Sequence, residues 1–334
     1  MAFPLILIVG NDSHFGYIIF VRIIPIATAA LSCALLGACG TSSSSTAEST
    51  PTISVAASFY PLQEIVHRVG GDHVRTIALT PPGQGAHDVQ LTAKKLTELS
   101  SASLVLYMGD GFQPDVEKAV KTLSAKTTAI DVLDSITLLP LGWQLEGTVG
   151  VPDGEVLQSG KDPHVWLDPA NMIAITRAIT DAMSTAHPEW SSEFANHAAA
   201  YIAELETLGN TIDTSLAHCD SDALVTSHRA FAYLAKRANL VQVAIAGVNP
   251  EEEPSAQSLE AIATYAKKAH VSTIFFETLL PADLAKTLAD KVGATSAVLD
   301  PVEGISSEDL AAGATYISIM QANVARIATG LRCS

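Results

Sequence analysis

Bases are scarce in this chain. Its 334 residues carry 19 Lys and Arg against 35 Asp and Glu, a formal charge of -16. The shortage excludes a nucleic-acid binder, which needs clustered Lys and Arg to displace the counterions condensed on phosphate. A cationic partner is compatible with the acid excess, although acidity also serves solubility alone. Charge of either sign is sparse: 16% of residues are charged and 48% hydrophobic, a globular composition that excludes disorder. The length corresponds to about two domains, each able to bury its own core. No nucleophile elbow, Walker loop or dinucleotide fingerprint occurs, nor a clustered acid pair with a clear base role, and their absence removes the commonest enzyme signatures. No sequence repeat with a period of roughly 20 to 50 residues is visible, so a solenoid is not expected.

Long apolar runs are also missing. The run from Ile23 to Ala38, behind a lone Arg22, is shorter than the ~20 residues that cross a bilayer as a helix. It ends at Leu36-Gly37-Ala38-Cys39 and reads as a signal peptide over residues 1–38. The small residues before Cys39 resemble a lipobox, where bacterial lipoproteins are lipidated on Cys and cleaved before it. Gly40 to Thr52 is rich in Ser and Thr, so residues 39–52 are expected to form a lipidated, flexible tether. A further apolar patch in residues 1–20 is expected to reflect a mis-assigned start, with initiation at Val21. Removing 1–38 takes away Arg22 and Asp12, one charge of each sign, so the -16 belongs to the exported portion.

Cysteine is limited to four residues, and Cys33 and Cys39 fall in the targeting segment. That leaves Cys219 and Cys333. An exported compartment permits disulfides, so this pair is expected to be bridged, pinning the carboxyl terminus to the start of the second half; two unrelated buried thiols are the alternative.

What the mature chain does contain is short apolar strands alternating with amphipathic helices. Strands are expected at Ile53–Ala57, Val74–Leu79 and Leu104–Met108, and again at Ala223–Thr226, Gln242–Ala246, Val271–Phe276 and Thr295–Leu299. Such alternation predicts an α/β fold with parallel sheets flanked by helices. Between the two series, Trp190, Phe194, Ala198, Tyr201, Leu205 and Leu208 recur at helical spacing with no internal proline, predicting one long rigid helix over 188–217. The expected organisation is an amino-terminal lobe over 53–187, that helix, and a carboxyl-terminal lobe over 218–334. Pro281 is expected to open a helix with Leu284 and Leu288 facing its core, and Ser306 with Asp309 to cap the last helix, running toward Arg332.

Ten His occur, and three have unusual settings. His87 lies in the loop Pro81-Pro82-Gly83-Gln84-Gly85-Ala86-His87-Asp88 directly after a strand. His164 lies in Asp162-Pro163-His164-Val165-Trp166-Leu167-Asp168-Pro169, where two prolines fix the backbone on either side. His228 follows the strand ending at Thr226. Ligands of open parallel sheets bind beyond the carboxyl ends of the strands, so the three can converge in one cleft. Glu277 and Asp300 end two further strands, and either could be a fourth ligand. Three imidazoles and a carboxylate suit tetrahedral zinc, and the absence of thiolate or thioether argues against copper(I). His67, His73, His187, His197, His218 and His270 sit on helix faces or connectors and carry no such expectation.

The blocks His87-Asp88-Val89-Gln90-Leu91-Thr92 and Asp162-Pro163-His164-Val165-Trp166-Leu167-Asp168-Pro169, with Thr226-Ser227-His228-Arg229-Ala230-Phe231-Ala232-Tyr233-Leu234, Phe276-Glu277 and Leu299-Asp300-Pro301, resemble the zinc-binding solute-binding lipoproteins of metal ABC transporters, often called the ZnuA type. The resemblance covers about residues 53 to 332. It implies two lobes joined by one long helix, with Zn2+ held between them as the transported substrate and delivered to a membrane permease. It implies His87, His164 and His228 as ligands, with Glu277 preferred over Asp300 for the fourth place, or water there. His rather than Glu at 228 resembles the zinc branch more than the manganese branch. Zinc members often carry a His-rich acidic loop before the second His; Gly142 to Lys161 here has no His, so capture by that loop is not expected. The chain is thus expected to be an exported, lipid-anchored, monomeric binding protein on the outer face of the bacterial cytoplasmic membrane, without enzymatic activity. A receptor for Mn2+ or Fe2+, a surface adhesin and a zinc hydrolase are the alternatives.

Overall fold

The central strands of each sheet are short and almost wholly apolar because both of their faces are covered, as in parallel sheets, whereas the edges Val74–Ala78, Thr128–Asp131 and Thr295–Val298 are partly exposed. The computed structural model describes residues 52–87, 89–143, 160–251, 253–279 and 282–334. The expected signal segment, Cys39 and nearly all of the tether lie outside them, as do Pro281 and most of the loop from Gly142 to Lys161. In chain order the first lobe comprises β1 (Ile53–Ala57), α1 (Tyr60–Gly70), β2 (Val74–Ala78), α2 (Ala93–Ser101), β3 (Leu104–Tyr107), α3 (Pro114–Val120), β4 (Thr128–Asp131) and α4 (Pro169–Ala186). Its sheet runs β2-β1-β3-β4, parallel throughout. β4 has no counterpart among the expected strands, since Thr128-Ala129-Ile130-Asp131 is a half-exposed edge with little apolar content.

After a 3-10 turn at Pro188–Trp190 comes α5 (Ser191–Ser215), the long helix. The second lobe repeats the first: β5 (Ala223–Thr226), α6 (Ala232–Ala238), β6 (Val241–Ala244), α7 (Ala256–Lys268), β7 (Thr273–Phe276), α8 (Asp283–Val292), β8 (Thr295–Val298), α9 (Ser307–Ala311) and α10 (Tyr316–Leu331). Its parallel sheet has the equivalent order, β6-β5-β7-β8. Two expectations are corrected here. Leu284 is 39% exposed, because α8 starts at Asp283 and turns Ala285, Leu288 and Ala289 inward instead. Ser306 does accept from the Asp309 backbone N–H, but it caps only the short α9. The chain then breaks at Gly313, which takes a positive φ of 78°, and α10 starts afresh with its own capping box of Thr315 and Ser318.

α5 is more than a connector. Its buried stripe of Phe194, Ala198, Tyr201, Leu205, Leu208 and Ile212 packs on α1 and α4 of the first lobe and on α10 of the second. One continuous apolar core therefore runs through both lobes, from Val55, Phe59 and Trp166 to Phe231, Phe275, Tyr316 and Met320. Polar groups tie the same boundary. Trp166 donates from Nε1 to the Pro301 carbonyl at 2.7 Å, and the Tyr316 hydroxyl donates to the Trp166 carbonyl.

Cys219 follows α5, Cys333 follows α10, and their Sγ atoms are bonded across 114 residues of chain. The bridge joins the two ends of the second lobe. Replacing both by Ser is expected to lower stability by about 2–4 kcal/mol, chiefly by freeing the unfolded chain. Urea unfolding followed by circular dichroism checks this, and an unchanged midpoint rejects it.

Candidate metal centre

His87 and His228 follow the carboxyl ends of strands, His164 lies in a longer connection between prolines, and the three meet in one place. His87 lies in the loop after β2. Its ring meets Phe112 edge-on at 4.8 Å, and the Gln113 side chain donates to the Ala86 carbonyl at 3.0 Å. His164 lies in the long connection between β4 and α4, immediately before a 3-10 turn at Val165–Leu167. His228 follows β5, and its carbonyl accepts from Thr226 Oγ1 and from Gln242 Nε2.

The imidazoles converge with a carboxylate that the sequence did not single out, Glu303. One ligand atom from each of His87, His164, His228 and Glu303 lies within 4.8 Å of the others. His164 Nε2 is 3.3 Å from His87 Nε2, and Glu303 Oε1 is 3.0 Å from His228 Nε2, 3.3 Å from His87 Nε2 and 3.5 Å from His164 Nε2. A tetrahedron with bonds of ~2.0–2.1 Å, the usual zinc–nitrogen and zinc–oxygen lengths, has edges of about 3.3 Å. The donor set thus has both the chemistry and the spacing of a four-coordinate zinc site.

Glu277 and Asp300 stand one step outside. Glu277 Oε1 accepts from His228 Nδ1 at 2.5 Å, as Asp162 Oδ1 accepts from His164 Nδ1 at 2.9 Å. Both carboxylates fix the ring so that Nε2 faces the cluster, the usual outer arrangement around metal-bound His. Asp300 shapes the loop that delivers Glu303. Its Oδ1 accepts from the Val302 backbone N–H at 2.7 Å, and Asn323 on α10 pairs with both its backbone N–H and its carbonyl. Val302 sits in the left-handed region at φ 57°, a conformation costing a β-branched residue about 1–2 kcal/mol, and the turn it makes swings Glu303 inward. Gly304 follows because a Cβ there would lie 2.3 Å from the Gln84 carbonyl oxygen. Loops of the two lobes touch at this point, where Gly83 N–H also donates to the Ile305 carbonyl at 2.8 Å.

His164 and His228 are fully buried, so access is past His87 and Glu303. Those two line a cavity of about 490 Å³ with Glu251, Glu277 and Asp300, and among the described residues no Lys or Arg lines it. The crowding of carboxylates sets the protonation of the site. Burial alone would lower the His228 pKa, but Glu277 and Glu303 override it and push it up to about 10. His164 also rises, with Asp162 and Glu303 outweighing burial. Glu303 moves the other way, since the three imidazoles overcome its burial and hold it well below the ordinary range. Asp300 is raised to about 6, by burial first and then by Glu277 and Glu303.

Known proteins share this architecture. The zinc-binding lipoprotein AdcA of Streptococcus pneumoniae is 34% identical over 277 residues, covering 81% of this chain and 54% of the relative. The chain therefore spans about half the length of such relatives. The high-affinity zinc uptake system protein ZnuA of Bacillus subtilis is 31% identical over 293 residues, covering 87% of this chain and 92% of that one. Among solved structures, the Zn(II)-bound ZnuA-like domain of S. pneumoniae AdcA superposes with a TM-score of 0.71 at 31% identity, covering 84% of this chain and 99% of the other. The family model for the periplasmic component A of zinc-uptake complexes matches residues 55–330, and with this fold and these relatives the chain belongs to the ZnuA family.

Proposed function

We propose that the protein is the extracytoplasmic receptor of a zinc-importing ABC transporter. It binds Zn2+ on the Nε2 atoms of His87, His164 and His228 and a carboxylate oxygen of Glu303, and delivers the ion to a membrane permease. The observation that carries this is the convergence of four donor atoms within 4.8 Å, with the four closest approaches at 3.0–3.5 Å, on side chains of which three are buried. A carrier needs a closed shell, whereas a zinc hydrolase needs an open position for water. Glu303 fills the fourth place, which favours the carrier. The protein acts as a monomer of two lobes, 53–187 and 218–334, with 188–217 between them. Residues 1–38 direct export, and lipid on Cys39 anchors the chain to the outer face of the cytoplasmic membrane.

Calorimetric titration of the mature protein tests the function. One equivalent of Zn2+ is expected to bind and to displace Mn2+. His228 carries its proton at pH 7, because its pKa is raised to about 10, and zinc must expel that proton. At least one proton should therefore be released per ion, and affinity should rise with pH by about tenfold per unit per proton until His228 deprotonates by itself. Binding without proton release, or preference for Mn2+, rejects the assignment.

A further inference from the structure

His164 belongs to the first lobe, yet it is not held by that lobe alone. Its ring is set by Asp162, whose Oδ1 accepts from both the His164 backbone N–H and Nδ1 at 2.9 Å. Asp162 lies opposite Leu139 in a short antiparallel pairing, flanked by the Pro140–Lys161 bridge and the bond from Leu141 N–H to Gly160 O. Two opposed residues of this kind normally exchange two backbone hydrogen bonds. Here only one is direct, from Asp162 N–H to the Leu139 carbonyl at 2.9 Å. The other is replaced by a side chain from the second lobe. The Tyr233 hydroxyl on α6 accepts from Leu139 N–H at 2.9 Å and donates to the Asp162 carbonyl at 2.8 Å.

The inserted hydroxyl holds the two segments apart by one extra hydrogen-bond length. Tyr233 is buried, and burial keeps its hydroxyl protonated well above the ordinary phenol range, so it donates at any physiological pH. Without the hydroxyl, Leu139 N–H and the Asp162 carbonyl lose their partner and regain one only if the segments close on each other. That closure draws Asp162, and the ring it fixes, out of place. Arg229 adds a charge from the same second-lobe segment. It is the only buried Lys or Arg among the described residues.

We infer that Tyr233 is a positioning residue for the metal: by bridging Leu139 and Asp162 across the lobe boundary it aims His164, so the second lobe completes a ligand carried by the first. This rests on the zinc-binding role proposed above. The test is a double-mutant cycle of Tyr233→Phe and Asp162→Ala, read by zinc competition against a chromogenic chelator and by the visible spectrum of the Co2+-loaded protein. Removing an outer partner of a metal-bound His weakens binding by about 10- to 100-fold. Tyr233→Phe is expected to cost about tenfold and to shift the Co2+ bands. In the Asp162→Ala background the same change should cost less than about twofold, since the group it acts through is gone. Zinc binding by the wild type with unchanged affinity and Co2+ spectrum in Tyr233→Phe, or an equal loss in both backgrounds, overturns the inference. No zinc binding by the wild type overturns the proposed function instead. Should Tyr233→Phe not fold, amide exchange in the wild type decides: coupling is reciprocal, so zinc must slow exchange at Leu139, and unchanged exchange there rejects the role.

Discussion

Replacing His164 by Ala is expected to weaken zinc binding by roughly 10²–10³-fold. Four-ligand protein zinc sites bind with about 10–16 kcal/mol at neutral pH, so one ligand accounts for roughly 3–4 kcal/mol. His164 stands at the top of that range because it is fully buried and its Nδ1 partner Asp162 is fully buried too. Removing the ring also takes the Nδ1 donor from the buried Asp162 carboxylate. His218→Ala is the matching control, since His218 is exposed and lies beside the carboxyl terminus, where its carbonyl accepts from Ser334 N–H. Competition titration reads both variants, with circular dichroism to confirm folding. A folded His164→Ala protein that keeps its affinity removes His164 from the site.

The carboxylates give the second large effect, and a graded one. Glu303→Gln is expected to lose roughly 10²–10³-fold in affinity, because it removes the one anionic donor among four. Glu277→Gln should lose about 10- to 100-fold, the usual consequence of disturbing the outer partner of a ligating His. Asp300→Asn should stay near wild type, because the amide oxygen can still accept from Val302 N–H and preserve the turn. The pH dependence separates the roles further. Glu277 is the leading charge holding the His228 proton in place, so its loss lets the His228 pKa fall and the rise of affinity with pH flatten. Were Glu277 or Asp300 the ligand, its own variant and not Glu303→Gln would show the greatest loss.

Much of the fold was legible because parallel strands are short apolar runs bounded by polar loops. Ile53–Ala57 and Ala223–Thr226 fall at their expected bounds, and the other expected strands shift by one or two residues at one end, or at both for Gln242–Ala246. The three His stood out for a similar reason, since each follows a strand or lies between prolines. Glu303 carried no such mark. It follows a strand end by several residues, in Asp300-Pro301-Val302-Glu303, and nothing local says that Val302 takes a left-handed conformation. Only the grip of Asn323 and Trp166 on this turn, from elsewhere in the chain, makes that conformation stable enough to present Glu303. Glu277 and Asp300 were conspicuous because they closely follow strands, but their carboxylates meet His228 Nδ1 and Val302 N–H rather than the point where the imidazoles converge.

By itself, the sequence determined the α/β class, the two equivalent strand series and the long helix between them, and it marked Cys219 with Cys333 and the three imidazoles as candidates. These follow from periodicity, composition and the positions of strand ends, which are local properties. Tertiary structure decided the Cys219–Cys333 bridge, the carboxylate that meets the imidazoles, the continuous core that joins the lobes, and the partners that turn His164 and His228, because these depend on contacts between segments far apart in the chain. The acid excess shows the difference most clearly. Composition records 35 acids, but only the fold separates Glu303 at the centre from Glu277 and Asp162 behind the rings and from Asp300 in the turn. A carboxylate acts as ligand or as support according to the atom placed beside it, and that placement is long-range packing.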